Sequence, residues 1–148
     1  MFCYLSQAFD RIDHFILCEK LIDHDISCNF INILMAYLKN QTASVSWNNC
    51  CSDFRYIEFG CRQGGILSPF LFNFHINDIL ERLSNLKEGC MLGLNRINII
   101  AYADDVVLIS HNLESLNVIY KEFEHLINQN KLKINESKSK CMIFESFS

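Results

Sequence analysis

Two adjacent carboxylates, Asp104 and Asp105, stand between the apolar runs 97–102 and 106–109. Placing an aspartate between β-branched runs costs desolvation energy, and a second one beside it adds like-charge repulsion unless a cation compensates. A tight turn at a hairpin tip presents such a pair to solvent, where hard oxygen ligands suit Mg²⁺ or Mn²⁺ and reach substrate phosphates. On spacing alone, an exposed D-D turn explains the pair more simply, because aspartate is common in turns. A second signal lies upstream. The only proline, Pro69, and three of the five glycines, Gly60, Gly64 and Gly65, fall within ten residues, which marks one loop that bends tightly or lets something approach its backbone.

Other chemistry is less concentrated. Eight cysteines, Cys3, Cys18, Cys28, Cys50, Cys51, Cys61, Cys90 and Cys141, include no C-x-x-C pair. Free thiols are expected, without zinc and without a disulfide framework. The histidines at 14, 24, 75, 111 and 125 are scattered and read as surface or satisfied core positions.

The elements that must carry these groups follow from periodicity. Residues 2–5 read as a short buried strand and 13–23 as a helix bearing Leu17 and Leu21. A helix over 29–39 is expected to put Phe30, Leu34 and Leu38 on one face. Residues 42–47 and 54–59 favour strands, and the cluster 48–52 between them suggests a hairpin. After the glycine loop, Leu67, Phe70, Leu71 and Phe74 recur at helical spacing, extended by Phe72, Ile76, Ile79, Leu80 and Leu83, so this helix is expected to be mostly buried. The two runs around the carboxylates read as strands, and Leu113, Leu116, Tyr120, Phe123 and Ile127 as an amphipathic helix. Residues 132–135 and 141–144 are expected to close the sheet. The fold class is α+β, helices on a largely antiparallel sheet.

The chain of 148 residues is 50% hydrophobic and 20% charged, enough for one domain with a real core. Its 17 acidic residues outnumber 13 basic ones for a net charge of -4, so it lacks the basic excess with which autonomous nucleic-acid binders neutralise phosphates. No apolar run is long enough to span a membrane, and residues 1–9 lack the features of a signal peptide; a soluble, intracellular protein without membrane partners is expected.

Read with their neighbours, the carboxylates change meaning. Tyr102-Ala103-Asp104-Asp105, followed by Val106-Val107-Leu108, resembles the Y/F-A-D-D box of reverse transcriptases. Gly60-Cys61-Arg62-Gln63-Gly64-Gly65-Ile66-Leu67-Ser68-Pro69, with Leu71-Phe72-Asn73 and Ile76-Asn77-Asp78, is similar to their Q-G, L-S-P segment, especially as it occurs in non-LTR (LINE- or jockey-like) retrotransposons. Leu5-Ser6-Gln7-Ala8-Phe9-Asp10 resembles D-L-S-K-A-F-D, and Leu132-Lys133-Ile134-Asn135 with Lys138 and Lys140 resembles the later L-x-I-N-x-x-K-S/T-K segment. The four occur in the family's order across nearly the whole chain.

The resemblance implies a polymerase palm over residues 1–148, an antiparallel sheet backed by helices, lacking complete fingers and thumb. It implies RNA-directed DNA synthesis with Mg²⁺ or Mn²⁺, an RNA template, a DNA primer and dNTPs as partners. Asp104 and Asp105 take the catalytic, metal-binding positions, with Asp104 the principal ligand. Phe9 matches the aromatic gate that excludes a 2′-hydroxyl, Gln63, Gly64 and Tyr102 lie on the nucleotide and template side, and Lys138 stands near the leaving phosphate.

Two departures qualify this. The family's first catalytic aspartate stands five residues before the gate, where this sequence has Tyr4. A phenol with a reference pKa near 10 is neutral at pH 7 and a poor hard-metal ligand. Asp10, beyond the gate, is a poor substitute. The second departure is extent: the chain starts at the first palm motif and residues 144–148 stop before a thumb, so an inactive fragment with weak nucleic-acid binding is expected. Two alternatives remain open: a noncatalytic nucleic-acid or protein binding module derived from the polymerase, which needs a basic or aromatic patch that the sequence does not show, and an unrelated α+β domain whose carboxylates stay away from the Tyr4 strand. If the resemblance holds, the strand at 2–5 lies beside the D-D hairpin.

Overall fold

A computed structural model describes residues 1–144. The last four, at which the sequence reading ends the domain short of a thumb, lie outside the described residues. Along the described chain run β1 (Phe2–Tyr4), a 3-10 turn (Phe9–Arg11), α1 (His14–Asp23), α2 (Cys28–Lys39), β2 (Thr42–Ala43), β3 (Ser46–Trp47), β4 (Cys50–Cys51), β5 (Arg55–Tyr56), α3 (Ser68–Ser84), β6 (Cys90–Leu92), β7 (Asn95–Ile97), β8 (Ile99–Tyr102), β9 (Asp105–Leu108) and α4 (Leu113–Gln129). The result is a mixed α/β architecture with antiparallel sheets.

The central sheet has the order β1-β9-β8, all antiparallel. Cys3 faces Val106, which faces Ala101. Opposed residues share a face of the sheet. This face is buried, with α3 against β8 and α4 against β9. The other face, formed by Phe2, Tyr4, Ile100, Tyr102, Asp105 and Val107, is uncovered to varying degrees. Phe72, Ile76, Leu108, Ile119, Phe123 and Ile127 fill the layer between helices and sheet.

Local chemistry explains the helix boundaries. Asp13 caps α1 by accepting from the amides of Phe15 at 2.8 Å and Ile16 at 3.1 Å. Burial would raise its carboxyl, but the Lys131 ammonium at 2.7 Å and the two amides outweigh that and hold it below the ordinary range. Ser27 caps α2 through the Phe30 amide at 3.4 Å. Pro69 sits in the first turn of α3, where its missing N–H costs nothing.

Four expectations need correction. In α2 the buried positions are Ile31, Leu34 and Leu38, while Phe30 is exposed, because the face turned to α1 is rotated by one residue. In α3 only one stripe is buried: Leu71, Phe72, His75, Ile76, Ile79 and Leu83 face inward, and Leu67 and Phe70 remain exposed. The closing strands do not form. Residues 132–140 instead touch β1 and its extension at two isolated bridges, Leu5 to Ile134 and Phe2 to Lys140, because the chain turns back between them with Asn135 accepting from Ser139 N at 3.0 Å. Residues 141–144 carry no assigned element. The hairpin expected between 42–47 and 54–59 forms only as two short ribbons, β2 with β5 and β3 with β4, so Cys50–Cys51 of the expected connection pair as a strand, and the turn contracts to Asn48 and Asn49 at φ of 47° and 62°, both left-handed.

His75 is fully buried in α3, and neither ring nitrogen has a hydrogen-bond partner among the described residues. Its surroundings include the ion pair of Lys20 Nζ with Asp78 Oδ2 at 3.0 Å. Burial, then the Lys20 ammonium, push the imidazole down from 6.5 to about 4. Above pH 6.5 it is neutral in both folded and unfolded chains; between 6.5 and about 4 only the unfolded chain takes the proton. This single group therefore removes about 3 kcal/mol of stability as pH falls through that window. Urea unfolding at pH 7 and pH 4.5 is expected to show most of that loss, and His75→Met is expected to reduce it markedly.

Candidate active site

The hairpin of β8 and β9 turns through Ala103 and Asp104, with Tyr102 opposite Asp105. Ala103 has φ of 51°, a left-handed conformation that costs a β-carbon-bearing residue roughly 1 kcal/mol. On the other side of β9, Tyr4 pairs directly with Asp105, and Leu5 N donates to Asp104 O at 3.1 Å. The strand at 2–4 therefore lies beside the carboxylate hairpin, as the motif order required. Tyr4, Asp105 and Tyr102 stand in one row on the uncovered face. Both aspartates are exposed.

Asp104 closes one end of a cleft of about 620 Å³. One wall is the 3-10 turn with Phe9 and Asp10; the other is the glycine loop with Gln63 and Gly64, leading into Ser68 and Pro69. Phe9 is held by packing on Phe72, with ring centroids 4.9 Å apart at 35°. The loop is tied to this wall by Cys61 N donating to Phe9 O at 2.8 Å, and it comes so near that a β-carbon on Gly60 would stand 2.7 Å from Asp10 Cα. Its far end is pinned by the Ser68 hydroxyl donating to Arg62 O. Gly64, at φ of 75°, faces open space, so its backbone is available to a ligand in the cleft. Gln63 Nε2 donates to both oxygens of Asp10, at 3.1 and 3.2 Å.

Phe9, Gln63, Gly64 and Asp104 are thus brought together around one cleft, with Asp105 and Tyr4 on the adjoining strands. Tyr102 does not line it; it lines a neighbouring cleft on the far side of Phe9 and Pro69. Lys138 lies at neither. It is exposed on the turn after Asn135, whose Oδ1 accepts from its amide at 3.2 Å. The Asp10–Gln63 pairing was not foreseen: the residues are 53 positions apart and only the folded loop joins them.

A family model described as reverse transcriptase (RNA-dependent DNA polymerase) matches residues 1–146. The chain belongs to the reverse transcriptase family. Among curated relatives it is similar to retrovirus-related Pol polyproteins from type-1 retrotransposable elements, 25% identical in Nasonia vitripennis over 88% of this chain and 13% of the relative, and 27% in Popillia japonica over 91% and 19%. It is also 30% identical, over 73% of the chain and 12% of the relative, to the RNA-directed DNA polymerase from mobile element jockey of Drosophila funebris. These place it with the reverse transcriptases of non-LTR retrotransposons. It spans less than a fifth of the length of these relatives.

Reverse transcriptases generally use divalent metals. Asp104 and Asp105 are the carboxylates of the hairpin, and across β9 stands the phenol of Tyr4. Among the described residues no group of three or more His, Cys, Asp or Glu is assembled that could hold a metal ion. Two carboxylates against the four positive charges of two divalent ions leave that centre short of ligands and of neutralising charge, so this donor set does not fit a two-ion reverse transcriptase site. The nearby thiols do not compensate, since burial pushes both Cys3 and Cys61 up to about 11, where they stay protonated and poor ligands.

Two of the three loop glycines separate folding from ligand access. Gly60→Ala forces backbone against backbone at Asp10 and is expected to cost more than about 2 kcal/mol, whereas Gly64→Ala meets open space and carries only the left-handed penalty of about 1 kcal/mol. Urea denaturation of the two variants checks the order.

Proposed function

We propose that the chain forms the palm of a non-LTR retrotransposon reverse transcriptase whose metal centre is disabled by Tyr4. The observation that carries this is the register of the central sheet, which sets Tyr4 directly opposite Asp105 where the family resemblance calls for a bridging carboxylate. Where a complete carboxylate set held divalent ions, they would supply Lewis-acid activation of an attacking hydroxyl and neutralise phosphate charge. This chain's own residues keep the rest of the arrangement. Asp104 and Asp105 remain as the two carboxylates that would face an ion, Phe9 forms the wall against which a 2′-hydroxyl is excluded, and Gln63 and the bare backbone of Gly64 bound the nucleotide and template side. Lys138 is assigned to the leaving phosphate on resemblance alone. RNA template, DNA primer and dNTP are the proposed partners, in an intracellular setting.

A second reading, a noncatalytic binding module, draws support from one feature, which corrects the expectation that no aromatic patch is present. The ribbons over residues 42–59 expose Trp47, Phe54 and Tyr56, each about three-quarters accessible, which supplies the aromatic surface such a module needs. The net charge of -4 favours weak binding to phosphate backbones. Primer-template is therefore expected to bind only at low salt; tight binding that persists at physiological salt would favour the module over the disabled polymerase.

The decisive comparison grafts this palm between the fingers and thumb of an active relative, with Tyr4 and with Tyr4→Asp. Primer extension on RNA with Mg²⁺ is expected to rise at least 10²- to 10³-fold in the aspartate version, the usual scale for one preorganised electrostatic group, and to vanish again with Asp104→Ala. Equal extension by both versions would show that Tyr4 is tolerated.

A further inference from the structure

At the end of the β8–β9 hairpin away from Asp104 and Asp105, where Ile109 N donates to Asn98 O at 2.8 Å, lies a depression of about 480 Å³. Lys87, Gly89, Cys90, Met91, Arg96 and His111 line it, and no carboxylate does. The basic side chains reach it from three places: Lys87 from the segment after α3, Arg96 from β7, where it stands opposite Met91 of β6, and His111 from the segment between β9 and α4. Acidic residues outnumber Lys and Arg by 17 to 13 in this chain, yet Lys87, Arg96 and His111 have no ion-pair partner among the described residues. The floor of the depression is fixed. Asn98 is buried and donates through Nδ2 to Leu83 O, which anchors the start of the hairpin to the end of α3. Gly89 packs on it so closely that a β-carbon would stand 2.8 Å from Asn98 Cβ, and the Gly89 carbonyl meets His111 Nδ1 at 3.1 Å. A carbonyl only accepts, so Nδ1 carries a proton and Nε2 is the ring nitrogen left to meet a ligand.

Two unpaired cations and an imidazole around one carboxylate-free concavity select an anion. Arg96 offers a planar fork and Lys87 a point charge, both matched to phosphate oxygens. The imidazole narrows the choice. A phosphomonoester, with a second pKa of about 6, either accepts from a protonated Nε2 or donates its own hydroxyl to a neutral one, so the pairing is satisfied in both states. A phosphodiester has no such hydroxyl and carries a single charge. Cys90 and Met91 give one wall an uncharged surface for the organic remainder of the ligand. We propose that this depression binds a small phosphomonoester, its phosphate held by Lys87, Arg96 and His111 Nε2. The site shares no residue with the cleft that Asp104 closes and stands independently of the reading of the metal centre.

The test titrates the full chain with methyl phosphate at pH 7 and low salt and reads the side-chain NMR signals of Lys87, Arg96 and His111. Saturable shifts at all three are expected, whereas dimethyl phosphate, the corresponding diester, is expected to leave them at their free positions. Arg96→Gln and Lys87→Gln are each expected to weaken methyl phosphate binding by about 10-fold, the low end for a charge-assisted hydrogen bond because both side chains are exposed. Their exposure also keeps the fold intact, which an unchanged urea midpoint checks. Lys39→Gln removes another exposed cation, one outside the depression, and should leave the affinity unchanged. Shifts that do not saturate, an equal response to the diester, or equal weakening by Lys39→Gln would overturn the site, the last by reducing it to a general attraction between anion and surface cations.

Discussion

The pairing of β1 with β9 is the constraint on which the molecule depends. It joins the first residues to a strand more than a hundred positions later, as in the 2.6 Å hydrogen bond from the Met1 ammonium to Leu108 O, which spans 107 positions. Closing so long a loop costs conformational entropy that only the packed result repays. The return comes from one face, where Cys3, Val106 and Leu108 are sealed under α3 and α4. A slip of one residue would turn that face outward and move Tyr4 away from Asp105. Core packing and site geometry are therefore set by the same register.

Much of this was readable because it is local. Asp104 and Asp105 sit in a turn flanked by strand formers, Asp13 announces α1, and the glycine cluster marks the loop that walls the cleft. What escaped depends on partners distant in sequence. Phe30 and Phe70 have the spacing of core residues, but the neighbouring helix and sheet decide which stripe is covered. Residues 132–135 alternate like a strand, yet the turn held by Asn135 leaves them only isolated bridges. Asp10 reads from its position as a poor substitute for the missing carboxylate, but that its oxygens are engaged by Gln63 shows only in the fold. No periodicity encodes such a contact between two loops.

A phenol rather than a carboxylate at position 4 also bears on stability. A third aspartate beside Asp104 and Asp105 would add like-charge repulsion to a hairpin that already carries a left-handed alanine at its tip. Clustered carboxylates are tolerated in a folded chain because they serve an ion, and they burden it when the ion is absent. A phenol relieves the burden and brings apolar area to a sheet face already bearing Phe2, Ile100 and Tyr102. A phenol at this position thus spares the hairpin a third negative charge.

The bridge between Phe2 and Lys140 has its own consequence. Phe2 N donates to Lys140 O at 2.7 Å and Lys140 N returns a bond to Phe2 O at 2.9 Å, so the chain enters and leaves this body through two adjacent strands of backbone. Everything between them forms a closed excursion on a narrow stem. Such a body can sit within a longer polypeptide as an insert whose host sees only two neighbouring attachment points, and it can be circularly permuted by joining the stem and opening the chain elsewhere. The tip of the hairpin at Asn48 and Asn49, exposed and far in sequence from either attachment point, is the natural place for new ends.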